Sequence, residues 1–321
     1  MRILLKNAYL LDNSFNMSIS DILIEDERIA AIGSGVKTAD EIMDLSGCTI
    51  LPGFVNTNIQ MQPQEDPHRY YNAYLSTGVM TIRVSAEEWV CRPDTPDMFP
   101  QILYSREIHH ADEALYLQFP RFKAQGIGGI TMPEKVVRAY KPEVFRMACS
   151  RAVRHGLWIA TVASDPETLQ TMISCGITEL LEVPAFRIPD EQIIQMVAKG
   201  ICMSYSAINA ASSNPNISSN MVRFHEAGGL LTLSSGAGGV MSPAKQIIRL
   251  VKSGIDLQNA VRIASLGGAM LLGTVEQKGA ILVGKYANLV VIRGNPAEDL
   301  AALQSLKFVM RKGVVLPDGY K

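Results

Sequence analysis

Two carboxamides two residues apart, Asn58 and Gln60, end the apolar run GFVNTNIQ. In an extended strand such residues share a face, so both amides point the same way. They can donate and accept hydrogen bonds, and so orient a polar substrate or stabilise an oxyanion. The plainer alternative is that they bond each other, since a buried polar cluster must be satisfied somehow. Glu182 closes a second apolar run, ELLEV. A carboxylate in partly apolar surroundings has a raised pKa and suits acid–base work; an ion pair with Arg83 or Arg187 fits the same pattern equally. Arg83 lies near the end of TIRVS, where its planar fork can clamp a carboxylate or phosphate or serve structure alone. His109 and His110 follow Glu107. An imidazole exchanges protons near neutral pH, although paired histidines on a loop also serve as polar surface. Thr131 and Ser234 add hydroxyls where other apolar runs finish. The expected catalytic residues are Glu182 and His109. The expected substrate-binding residues are Asn58, Gln60, Arg83, Thr131 and Ser234.

Eight short apolar runs must position these groups: GFVNTNIQ, VMTIRVS, QILYSRE, GGITM, LWIATVAS, ITELLEV, ICMSYS and LLTLSSG. Helix-length amphipathic segments separate many of them, several ending at glycine as a helix C-terminus prefers. Eight strands alternating with helices predict a parallel (β/α)8 TIM barrel, an α/β fold. Its functional face is the C-terminal end of the strands. Both chain ends read differently, as short β-rich runs punctuated by Gly, Asn and Asp. They are expected to pair into one small β-sandwich domain built from residues 1–53 and 274–321, with the barrel over 54–273. The triple-proline segment Trp89–Pro100 and the polar segment Asn209–Asn220 are expected loops. Gln62 is a further polar group placed at the mouth, whereas Glu87 and Glu88 read as solvated surface. The GAGG run at Gly236–Gly239 offers a weak anion cradle.

The chain has 321 residues, 47% of them hydrophobic, which suffices for a large core. A net charge of −1 gives no basic excess for nucleic acid. Five scattered cysteines form no metal-binding spacing and fit a reducing compartment. The N-terminal apolar stretch is interrupted by Lys6 and Asn7, unlike a signal peptide, and no run of apolar residues is long enough to span a membrane. A cytoplasmic protein is expected.

Two stretches carry a family resemblance. ILPGFVNTNIQMQ at Ile50–Gln62 resembles the first barrel strand of the amidohydrolase superfamily, a PGF followed by D-x-H-x-H. Ala264–Val314 resembles that family's C-terminal signature, and GVMTIRV and the Asp165–Glu182 region match more loosely. The likeness is nearest the imidazolonepropionase-like and prolidase-like branch and covers nearly the whole chain. It implies one or two divalent metals at the strand ends, which make a hydroxide and polarise the scissile carbonyl. Set against that pattern, the strand-one histidines become Asn58 and Gln60. The strand-four lysine or glutamate becomes Thr131, and the strand-five histidine falls near Val162. The strand-six histidine falls near Glu182, and the strand-eight aspartate becomes Ser234. The late K-x-A-D-L motif reads KYANL, with Asn288. No HxH occurs, and His155 and His225 fall on helical patterns away from the mouth.

From these replacements the expected function is a metal-independent enzyme on an amidohydrolase scaffold. It would perform lyase, isomerase, cyclase or condensation chemistry on a small polar or cyclic molecule. Two alternatives stay open: a non-catalytic ligand-binding or oligomeric protein with an occluded mouth, and a carbon–nitrogen hydrolase with an atypical site. No cofactor and no metal are expected. The expected partner is a small-molecule substrate or ligand, with homo-oligomerisation but neither nucleic acid nor membrane.

Overall fold

The computed structural model describes residues 1–11, 17–33, 35, 38–60, 67–86, 100–112, 114–236 and 242–316. All eight apolar runs form strands of one parallel sheet. In chain order, barrel strands one to eight are Phe54–Gln60, Val79–Ala86, Gln101–Glu107, Ile127–Thr131, Trp158–Thr161, Glu179–Leu180, Cys202–Tyr205 and Leu231–Leu233. Each pairs with its sequence neighbour. Strand eight returns to strand one just past its end: the Ser235 and Gly236 N–H groups donate to the Asn58 carbonyl at 3.0 and 2.9 Å. The Gln60 N–H donates to the Gly236 carbonyl at 3.1 Å, closing the ring.

Both chain ends form the second unit. Strands Arg2–Leu11, Met17–Glu25, Arg28–Ile32, Glu41–Asp44 and Cys48–Pro52 come from the N-terminal side. Leu289–Arg293, Leu306–Arg311 and Val314–Val315 come from the C-terminal side. The join is antiparallel, with Ile50 opposite Val291 and Leu51 opposite Val290. This sheet buries its own apolar set, including Leu5, Ile22, Ile24, Ile50, Val291 and Met310. It is the expected β-sandwich domain beside the TIM barrel.

The chain passes between the units at Gly53, whose N–H donates to the Asn288 carbonyl at 2.8 Å. A Cβ there would lie 2.5 Å from Met80 Cγ, so only glycine allows this approach. Asn288, of the KYANL motif, accepts from the Lys312 N–H at 2.9 Å and so ties two sandwich strands together.

One expected loop is largely helical. Within Asn209–Asn220 one helix finishes (Ala207–Ala211) and another begins (Pro215–Glu226). The polar residues that suggest a loop are helix caps: Ser206 and Asn209 form a reciprocal capping box, and Asn214 caps the second helix ahead of Pro215. Of the Trp89–Pro100 segment, residues 89–99 lie outside the described residues, as do Gln62, Glu87, Glu88 and Ala237–Gly239 of the GAGG run. Among the described residues no helix is long and apolar enough to cross a membrane.

Candidate active site at the strand ends

Parallel pairing sets which side chains enter the barrel, because directly paired residues share a face. Gln60 pairs with Ser85, Ser85 with Ser105, and Ser105 with Gly129. Glu107 pairs with Thr131, and Thr131 with Ala160. Ala160 pairs with Glu179, Glu179 with Cys202, and Ser204 with Thr232. One continuous inward face therefore runs round the barrel.

The lower part of that interior holds a charge pair. Arg83 and Glu179 project from opposite strands and meet in a bidentate contact of 2.7 and 2.9 Å, both fully buried. Ser204 Oγ donates to Glu179 Oε1 at 2.9 Å and shares hydrogen bonds with Thr232 and Thr57. The Arg83 guanidinium also lies 5.1 Å from the Trp158 ring centroid. That indole lies against strand four, where a Cβ on Gly129 would come 2.3 Å from the ring. Aromatic, guanidinium and carboxylate thus fill the barrel below its mouth. The expected substrate clamp, Arg83, is therefore not at the mouth. Its guanidinium is spent on Glu179, the partner that sequence reasoning missed. The available signal is a lone glutamate inside the apolar run ITELL.

Above this layer lies a chain of neutral groups. Ser85 Oγ donates to Asn58 Oδ1 at 2.7 Å and shares a second hydrogen bond of 2.7 Å with Ser105 Oγ. Asn56 Nδ2 donates to Ser235 Oγ at 2.7 Å, linking strand one to the turn after strand eight. Asn58 is thus satisfied by Ser85, while Gln60 is partly exposed at the strand end. Ser234 is fully buried, its hydroxyl 3.5 Å from the Leu181 carbonyl. Thr131 is 2% exposed, and its hydroxyl has no hydrogen-bond partner among the described residues. His109 Nε2 stands 4.0 Å from Glu107 Oε1, and both are partly exposed, while His110 is exposed.

Glu182 follows strand six at the mouth and is half-buried. Burial pushes its carboxyl above the ordinary carboxylate range. Its oxygen faces Gly236 across the mouth, 3.7 Å from where a Cβ would stand. Two asparagines hold the chain that follows it. Asn209 accepts from the Val183 N–H and donates to the Val183 carbonyl, each at 2.9 Å. Asn220 accepts from the Ile188 N–H at 2.9 Å and donates to the Pro184 carbonyl at 3.0 Å. In the sequence both look like loop polarity; their place in N-cap and turn patterns is the signal that could have found them.

The donor set does not fit a transition-metal centre. The strand ends present two carboxamides, hydroxyls, the apolar Val162 and the carboxylates of Glu107 and Glu182. Amide and hydroxyl oxygens are weak ligands for zinc beside imidazole. Among the described residues no three His, Cys, Asp or Glu side chains gather closely enough to hold an ion.

Comparison with known proteins gives the family. The amidohydrolase family model matches residues 46–316. A dihydroorotase of Syntrophotalea carbinolica is 33% identical over 98 residues, 30% of this chain and 22% of that protein. A 5-methylthioadenosine/S-adenosylhomocysteine deaminase of Thermococcus sibiricus is 40% identical over 60 residues, 18% of this chain and 14% of that protein. The chain thus aligns with less than a quarter of the length of either relative. A prolidase complexed with N-methylphosphonate-L-proline superposes with a TM-score of 0.81 at 16% identity, covering 98% of this chain and 99% of that one. A Xaa-Pro dipeptidase with bound methionine superposes at 0.79 with 19% identity, covering 98% and 100%. At such identities these structures show the fold alone. The relatives are enzymes. The family match, with its dihydroorotase and prolidase-like neighbours, overturns the expectation of a metal-independent lyase, isomerase, cyclase or condensing enzyme. Altered ligand positions suggest altered chemistry, but the family carrying this scaffold points to hydrolysis, and to the metal dependence that the resemblance implies.

Proposed function

We propose, from the premise that this chain belongs to the amidohydrolase family, that it hydrolyses an amide-type carbon–nitrogen bond in a small polar molecule. The observation that carries the reading within this chain is Glu182. It is a half-buried carboxyl at the C-terminal ends of the strands with a pKa raised by burial, where this fold keeps its active site. A raised pKa suits a group that must take and return a proton near neutral pH. In hydrolysis the Glu182 carboxylate accepts a proton as a water oxygen bonds to the amide carbon. The resulting carboxyl returns that proton to the nitrogen as the C–N bond breaks, and the products are a carboxylic acid and an amine. Asn209 and Asn220 are positioning residues, because they hold the segment that carries Glu182. Gln60 and Thr131 offer an amide and a hydroxyl to the substrate. His109, beside Glu107, is a second proton carrier within the same rim.

The test is amide hydrolysis by the purified protein, as isolated and after addition of zinc or manganese, with a panel of cyclic amides and N-acyl compounds. Turnover is expected, and Glu182→Gln is expected to lose about 10²–10⁴-fold of it while keeping its circular dichroism spectrum, the range typical of proton-transfer groups. No turnover under either condition would overturn the hydrolase reading. Full activity in the variant would remove Glu182 from the chemistry. Rescue by metal would add a Lewis-acid role to the same reaction.

A further inference from the structure

At the end of the barrel opposite Glu182, a cleft of about 280 Å³ opens where the chain enters strand eight. One wall is the end of the helix Pro215–Glu226 with the stretch that follows it into Leu231. The other is the helix Leu257–Arg262 and the π turn Ile263–Gly267 that continues it. A π turn takes one residue more than an α turn and is often found where a helix serves a function. Two glycines hold this turn against the barrel. A Cβ on Gly267 would lie 2.4 Å from the Leu231 carbonyl oxygen, and one on Gly268 would lie 2.7 Å from Val55, so strands eight and one both press on it. Apolar side chains are left at the cleft: Leu230 and Leu266 are half-buried, and Met270 is 51% exposed.

The polar groups of the cleft are the His225 imidazole, the Asn259 carboxamide and the exposed Arg262 guanidinium. No aspartate or glutamate lines it. Both oxygens of Asp256, the nearest carboxylate along the chain from Asn259, accept from Asn259: one from its backbone N–H and one from its side chain, each at 2.7 Å. That leaves Asn259 a second side-chain N–H. The helix that carries His225 is closed off as well. Its Phe224 and His225 carbonyls accept from the Gly229 and Gly228 N–H groups at 2.8 and 2.9 Å. The half-buried His225 ring makes no hydrogen bond or ion pair among the described residues. Arg262 has contacts of its own, but a guanidinium carries five N–H donors.

We infer that this cleft is a second binding site, separate from the mouth, for a small monocarboxylate with a compact aliphatic body. Apolar walls with a few convergent polar groups are the usual make-up of a small-molecule site, and the volume lies just below the range of about 300–1,000 Å³ for drug-sized ligands. The ligand is therefore small. Donors from an imidazole, a carboxamide and a guanidinium, with no lining carboxylate, select an anion. Leu230, Leu266 and Met270 select an aliphatic group beside that charge, because covering them removes apolar surface from water. The assignment does not depend on which bond is cleaved at the mouth.

Three probes separate charge from apolar body: isocaproate (anion with the body), isocaproamide (the body without the charge) and acetate (the charge without the body). Each is titrated into the full chain labelled at its methionine methyl groups and followed by NMR, with the Met270 signal assigned by its loss in Met270→Leu. Isocaproate is expected to shift the Met270 methyl saturably and to bind about tenfold or more tighter than either of the other probes. Arg262→Gln, at an exposed position, is expected to weaken isocaproate about tenfold with an unchanged circular dichroism spectrum. His225→Gln, on the facing wall, is a second variant, and a loss in either places the carboxylate in the cleft. Amide or acetate binding as tightly as isocaproate, a Met270 methyl that does not move, or an affinity unchanged in both variants would overturn the assignment. Binding is read without turnover, so its failure is distinct from a failure to hydrolyse.

Discussion

Glu182 differs from its surroundings in one respect that can be measured without a substrate. Burial raises its pKa, so the folded chain keeps this proton at a pH where the unfolded chain, with an ordinary glutamate pKa of about 4.3, has released it. The stability tied to this proton is complete below the unfolded pKa and is lost as pH rises through the raised folded value. Glu182→Gln removes that dependence. Urea denaturation should show variant and parent differing by a constant offset below about pH 4, with the variant gaining on the parent toward about pH 8. A difference independent of pH would mean that the carboxyl is not held in a desolvated place. The neighbouring amides differ from it and from each other: Asn58 is buried and engaged by Ser85, while Gln60 is partly exposed at the strand end.

At the scale of elements, the strands that position the mouth are held from below by a polar layer. Arg83 on strand two and Glu179 on strand six bridge the barrel, and strands one, seven and eight add Thr57, Ser204 and Thr232 to the same network. A buried pair of this kind stabilises little against a well-packed apolar substitute, yet removing one member strands the other charge. Arg83→Met is expected to cost about 3–5 kcal/mol in urea denaturation. The double variant Arg83→Met/Glu179→Met should regain most of that loss. Equal losses in the single and double variants would mean that the cost lies in packing against Trp158 rather than in the unpaired carboxylate.

For the whole molecule, the two chain ends meet in one sheet, and the joint is the antiparallel pairing of Cys48–Pro52 with Leu289–Arg293. Ile50 is fully buried there. Ile50→Ala is expected to cost about 2–5 kcal/mol, measured by urea denaturation followed by circular dichroism; a loss well below about 1 kcal/mol would show the joint relaxing around the cavity. Much of this architecture is legible from local patterns. Eight apolar runs at strand length form eight strands, and β-rich ends form the second unit, because strand and helix periodicity are properties of adjacent residues. The inward direction of Gln60 and Thr131 follows from the same alternation, whereas a register shift between Asn56 and Ile59 brings the adjacent Thr57 and Asn58 both to interior partners. Three things do not follow. Asn209–Asn220 resembles a loop because caps and turns use the same polar residues. Arg83 resembles a substrate clamp because Glu179 lies 96 positions away along the chain and on the opposite strand. The altered ligand positions suggest a change of reaction class, which the family match corrects. The sequence alone determined the scaffold, the strand ends and the absence of the family's histidine pairs, since these depend on residue identity and short-range spacing. Tertiary structure decided that Arg83 and Glu179 neutralise each other, because closing the barrel brings distant side chains within hydrogen-bonding reach.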